Sequence, residues 1–197
     1  MEGAGDWRTG ERFMGLEYLA SGNGRQRNAC RVLQELRLFE GLQEYSPLLV
    51  GTVPIDIDIP GSDLDVICEV YDFAAFRDRL ERLLQEAGIC SPSIRTSIVA
   101  EVPRMVCCFP YGNWVIEIFG QPLPTVEQNG FRHMLIEDRI LQATGSQGRE
   151  TVRRLKAEGL KTEPAFAQLL KLDGDPYEVL LSLYDWEERE LLALCWQ

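Results

Sequence analysis

The chain carries a single histidine, His133, and six cysteines (Cys30, Cys68, Cys90, Cys107, Cys108 and Cys195), no two of them spaced as C-x-x-C. Zinc sites of the finger or ribbon type need clustered Cys and His ligands, so this pattern excludes them. Most of the cysteines have apolar neighbours, which reads as small core residues in a reducing cytosol. No apolar run approaches the ~20 residues that cross a bilayer. The opening Met-Glu-Gly-Ala-Gly-Asp also lacks the basic-then-apolar order of a signal peptide. A cytoplasmic chain without membrane contact is the expectation. Positive charge is scarce: 20 Lys and Arg stand against 31 Asp and Glu, a formal net charge of −11. That balance disfavours non-specific nucleic-acid binding, which rests on many basic contacts to phosphate.

What is present is ordinary for a globular protein. With 197 residues, 45% of them apolar, the chain can form one full-sized domain or a core domain with a smaller helical appendage. Residues 1–24 are Gly-rich and polar and read as a flexible N-terminal segment, with a short helix over 12–19. Ala29, Val32, Leu33, Leu36 and Phe39 recur at helical spacing, predicting a helix over 25–39. Residues 46–51 read as a short buried strand ending in a glycine turn, 52–62 as an ordered loop, and 63–70 as a second strand. Asp72 is an expected N-cap for a helix over 73–87, closed by Gly88. Strands follow at 93–100, 104–109 and 114–119, the last two forming a hairpin about Tyr111-Gly112-Asn113. After Pro124 the pattern is helical, over 125–143, 147–158, 162–171, 176–184 and 186–194. The divisions expected are thus 1–24, an α/β core over 25–123, and a helical extension over 124–197 packed on that core. A homodimer surface is the alternative use of the extension's apolar residues.

The informative stretch is Gly51-Thr52, a ten-residue spacer, then Asp63-Leu64-Asp65-Val66. On a strand Asp63 and Asp65 share one face and Leu64 and Val66 the other. Two carboxylates held side by side repel each other and resist burial, so a fold that does this usually supplies a cation. Hard oxygen donors suit Mg2+, which binds one or two carboxylates together with substrate phosphates. Asp56 and Asp58 alternate with isoleucine as a rival acidic pair, but the flanking Pro54 and Pro60-Gly61 predict a loop there. Glu117 is central in the apolar run Trp-Val-Ile-Glu-Ile-Phe (114–119) and needs a compensating partner.

These residues resemble the signature of the DNA polymerase beta-like nucleotidyltransferase superfamily: an apolar residue, Gly, Gly or Ser, a spacer, then Asp-apolar-Asp/Glu-apolar. Thr52 departs from it, keeping the hydroxyl but adding a methyl where phosphate should approach. The string 55–65, with Val126-Glu127-Gln128-Asn129 and Arg132-His133-Met134, is similar to an uncharacterised bacterial family within that superfamily, over about residues 27–180. The resemblance implies an α/β (α+β) fold, with a mixed sheet flanked by helices and a C-terminal helical extension. It also implies a two-metal Mg2+ site at Asp63, Asp65 and Glu117, with phosphate held by Gly51, Thr52 and Ser62. Arg95 and Arg104 are the expected cations for triphosphate charge. Asn129, His133 and Glu137, one helical turn apart, form a polar stripe that either contacts substrate or simply holds a satisfied histidine. Gln121 and Gln128 are further candidate contacts. The implied activity is transfer of a nucleoside monophosphate from an NTP to a small-molecule or protein acceptor; the alternative is a non-catalytic nucleotide-binding or interaction module on the same fold.

Overall fold

Residues 64–69 place Leu64, Val66 and Cys68 on one side of an extended chain and Asp65, Ile67 and Glu69 on the other, so a sheet here is built with two unlike faces. The computed structural model of the protein describes residues 10–195. Among them five strands, β1 (Leu48–Val50), β2 (Leu64–Glu69), β3 (Ser93–Val99), β4 (Val102–Tyr111) and β5 (Trp114–Gln121), form one mixed sheet in the order β1-β2-β5-β4-β3. β2 and β5 run parallel and the other neighbours antiparallel. The hairpin predicted about Gly112 is present, with Gly112 at φ 58°. A second hairpin joins β3 to β4 through Ala100 and Glu101, both left-handed at φ 49° and 65°, as a two-residue turn requires.

The helices are α1 (Glu17–Ala20), α2 (Gly24–Glu35), α3 (Leu38–Gly41), α4 (Phe73–Glu86), α5 (Asn129–Ala157), α6 (Thr162–Leu169), α7 (Pro176–Ser182) and α8 (Glu188–Cys195). Asn23 caps α2 in a reciprocal box with Gln26, and Asp72 caps α4 by accepting from the amides of Ala74 and Ala75. The single helix expected over 25–39 is two, because Arg37 takes a left-handed conformation (φ 52°) between α2 and α3. The two helices expected over 125–143 and 147–158 are the two arms of α5. The break falls at Gly145 (φ 63°, ψ −146°), where a residue without Cβ turns the axis and the ladder resumes. The expected loose segment over 1–24 lies partly outside the described residues. Within 10–24, however, Phe13, Leu16 and Leu19 are buried.

One sheet face is sealed. Leu64, Val66, Cys68, Met105, Cys107, Ile116 and Ile118 pack with Ala29, Leu33, Phe76 and Leu80 of α2 and α4. Ile67, Leu48 and Val50, facing the other way, join Phe131, Met134 and Ile140 of α5 and Phe166 of α6. Alternation along β1 thus sends Leu49 to one cluster and its neighbours to the other.

Gln128 fixes where α5 begins. Its buried amide donates to the carbonyls of Cys68 (3.0 Å) and Leu123 (2.9 Å), tying the helix start to β2. That bonding makes it a structural staple. Gln128→Ala should cost about 1–3 kcal/mol, because it leaves both buried carbonyls without that donor. A melting temperature lower by roughly 3–8 °C is the expected reading.

Candidate active site

Strand register brings the carboxylates together. Asp65 pairs with Glu117 across the parallel β2–β5 ladder, and Val50 pairs with Asp65 across β1–β2. Asp63, one residue before β2, has the same parity and is exposed at the strand's mouth. Gly51 leaves β1 at φ 81°, and a Cβ there would stand 2.7 Å from Asp65 Oδ2. Both the dihedral and the space therefore demand glycine. A cleft of about 620 Å³ opens over this face. Gly51, Thr52, Asp65, Glu117 and Arg104 line its sheet side, Asn129, His133 and Glu137 its α5 side, and Glu163 of α6 closes one flank.

The site's electrostatics are dominated by uncompensated acid. Burial first, then Glu117, then Asp63 push the Asp65 carboxyl up to about 7, and Lys156 only partly opposes them. The Cys108 thiol, opposite Glu117 in the β4–β5 ladder, donates to its Oε2 at 3.3 Å. Burial, followed by that hydrogen bond, pushes the thiol up to about 11. Glu137 is wholly enclosed, and burial raises its carboxyl well above the ordinary range, with Glu163 adding to the shift. Lys156, whose Nζ donates to the Ile57 carbonyl at 3.1 Å, is lowered by burial while Glu137, Asp58, Glu163 and Asp65 raise it. One ammonium is shared among four carboxylates. Asp65 and Glu117 offer the oxygen donors a hard divalent cation takes, whereas Asp63 does not line the cleft. Among the described residues the three donors found within 4.8 Å of one another are those of His133, Glu137 and Glu163, not this trio.

The expected contact residues separate into two groups. Gly51, Thr52, Arg104, Asn129 and His133 line the cleft with Asp65 and Glu117. Arg104 has its Nε sealed without a partner and its guanidinium 6.0 Å from the Phe119 ring centroid. Ser62 and Arg95 do not line it. The Ser62 hydroxyl accepts from the Ile59 amide at 3.0 Å to close a turn, and Arg95 is exposed on the outermost strand. Asp56 and Asp58 are engaged by arginines, Arg153 and Arg25 respectively, and lie in a loop, as their flanking prolines predict. Sequence reading missed Lys156 and Glu163. Lys156 is legible in retrospect, since it falls on the buried stripe with Val152 and Leu155; nothing local announces that the start of α6 returns to the middle of α5.

The mixed sheet with its parallel β2–β5 pair and flanking helices is an α+β fold of the kind found in nucleotidyltransferase polymerase cores. The chain belongs to the family described as domain of unknown function DUF4269, whose model matches residues 31–183. It superimposes on Cid1, an RNA terminal uridylyl transferase, with a TM-score of 0.50 at 9% identity, covering 84% of this chain and 52% of Cid1. It also superimposes on the polymerase core of TRAMP, an RNA surveillance complex, with a TM-score of 0.50 at 14% identity, covering 98% of this chain and 68% of that one. The chain thus spans about half the length of Cid1, and at these identities the likeness is one of fold. No curated protein matches it by sequence. No helix among the described residues is long and apolar enough to cross a membrane.

Two outcomes follow from the geometry. Because the Asp65 pKa is raised on folding, the stability this group contributes is full below about pH 4 and is lost as pH climbs through 7. In EDTA, Asp65→Asn should flatten that part of the pH–stability curve and raise the melting temperature at pH 8 by roughly 5 °C. Gly51→Ala and Gly61→Ala both force alanine into a left-handed conformation (φ 81° and 90°), but only the first meets an atom, Asp65 Oδ2. Gly61→Ala should cost about 1–2 kcal/mol, and thermal melts should show Gly51→Ala costing clearly more.

Proposed function

We propose that the protein is a Mg2+-dependent nucleotidyltransferase that moves a nucleoside monophosphate from an NTP to a small-molecule or protein acceptor. The observation that carries this reading is the register pairing of Asp65 with Glu117 directly under Gly51. Asp63, Asp65 and Glu117 would hold the metal. Bound there, Mg2+ supplies the charge neutralisation and the lowered hydroxyl pKa that in-line displacement at phosphorus needs. The chain's own part is positioning. The open backbone at Gly51 and the Thr52 hydroxyl hold phosphate oxygens, Arg104 meets triphosphate charge, and Asn129 and His133 face the acceptor from α5. The net charge of −11 favours an acceptor smaller than a polynucleotide. The six free cysteines suit a reducing cytoplasm.

Thermal melts with each NTP and Mg2+ should show a nucleotide-dependent rise in melting temperature. With a competent acceptor the protein should release pyrophosphate, and Asp63→Asn combined with Asp65→Asn should abolish release. A melting shift with no release from any acceptor would leave a nucleotide-binding module in place of an enzyme. Turnover that survives the double substitution would overturn the site assignment.

A further inference from the structure

The cleft holds a second group of donors, of which the proposed reaction uses His133 alone and leaves two carboxylates without a role. His133 and Glu137 lie four residues apart on α5, one turn apart on the same helix face, and Glu163 comes from the first turn of α6. One ligand atom from each lies within 4.8 Å of the other two. His133 is only 6% exposed and Glu137 only 3%. Such burial normally obliges a polar group to find a partner. Yet His133 Nδ1 is sealed from solvent with no hydrogen bond, and among the described residues neither Glu137 nor Glu163 forms an ion pair. The His133 and Tyr177 rings stand edge to face, with centroids 6.1 Å apart. The nearby charge of Lys156 is divided among Glu137, Asp58, Glu163 and Asp65. An unpartnered imidazole nitrogen beside two carboxylates from separate helices is a costly arrangement for a purely structural cluster.

We propose that His133, Glu137 and Glu163 form a second metal centre, for a borderline divalent ion of the Zn2+ type, distinct from the all-carboxylate site at Asp63, Asp65 and Glu117. Imidazole nitrogen with carboxylate oxygen is a donor set that selects zinc-like ions over Mg2+. Metal–ligand bonds of about 2.0–2.2 Å in a tetrahedron place donors about 3.4 Å apart. Closing the present triangle on an ion therefore needs only small side-chain rotations. Three protein ligands leave a coordination position open, as zinc sites that bind substrate do. All three ligands line the cleft that also contains Asp65 and Glu117, so that position is reached from the same space. The ion would place fixed positive charge on the helical wall, opposite the sheet carboxylates. It also explains why one cleft gathers carboxylates on both sides with so little basic charge between them.

The test uses the full-length Asp63→Asn, Asp65→Asn protein, in which the first site is disabled, with Zn2+ and Co2+ alone as probes. Equilibrium dialysis should find one tightly held equivalent of Zn2+, and Co2+ should give a visible d–d absorption band at the same stoichiometry. Adding either His133→Ala or Glu163→Gln should weaken binding at least tenfold and remove the band. Glu163 is partly exposed at a helix start, so its amide variant keeps the fold, which far-ultraviolet circular dichroism would verify. Absence of stoichiometric binding, or binding as tight in either added variant as in its parent, overturns the second centre. Since the readout is metal alone in a protein disabled for turnover, its failure and the failure of pyrophosphate release are separate results.

Discussion

Like-charge repulsion between Asp65 and Glu117 is the constraint around which the rest of this molecule is organised. Two carboxylates occupy adjacent positions of a parallel ladder, half-buried, with Asp63 close enough to add to the effect. In a solvated strand such a pair would cost little. Here burial first, and then the charges of Glu117 and Asp63, raise the Asp65 carboxyl to about 7. Under the proposed function a bound cation would offset that charge. The register, the glycine turn above it and the scarcity of nearby Lys or Arg all bear on that repulsion.

The fold meets the constraint by using the two faces of its sheet differently. Leu64, Val66, Ile116 and Ile118 seal one face against α2 and α4, and that cluster anchors the strands rigidly. Under the proposed function that rigidity matters, because the donors of a metal site must be held to within a fraction of an ångström. The opposite face is closed at its β1 end by Ile67, Val50 and Phe131 and left open over Asp65 and Glu117. Gln128 decides where closure stops, since its bonds to Cys68 and Leu123 set the point from which α5 departs. The same helix then carries Asn129, His133 and Glu137 over the gap. Core packing and cleft are therefore two consequences of one alternating strand.

How much of this could be read from the sequence follows from which interactions are local. Strand parity put Asp63 and Asp65 on one face, and the capping of α4 by Asp72 and the turn at Gly112 were equally legible. The pairing of Asp65 with Glu117 was suggested by a charged residue isolated in an apolar strand, a local signal with a long-range meaning. Ser62 and Arg95 failed to reach the cleft for reasons no local pattern carries. A serine three residues beyond Ile59 can close a turn as readily as it can bind phosphate. Arg95 has the right parity but sits on the edge strand, and strand order is a global property. Gly145 reads as a helix break and is one, since its backbone leaves the helical region (φ 63°, ψ −146°) between the two arms of α5. Lys156 and Glu163 belong to the same class of hidden information, since they meet the site only after the chain folds back.

The balance of charge in the cleft also constrains the order of events. Asp65, Glu117, Glu137 and Glu163 line it, with Asp63 at the mouth, against Arg104 and the shared Lys156. A nucleoside triphosphate is itself polyanionic, so its approach to the empty cleft is opposed electrostatically. Arg104 alone cannot reverse that field. Under the proposed function, cations must therefore enter before the nucleotide or together with it, and nucleotide affinity measured in EDTA reflects mainly this repulsion. The small acceptor proposed above has the same rationale. Each additional phosphate of a polynucleotide would meet a surface carrying a net charge of −11, without the run of Lys and Arg that would release counterions in exchange.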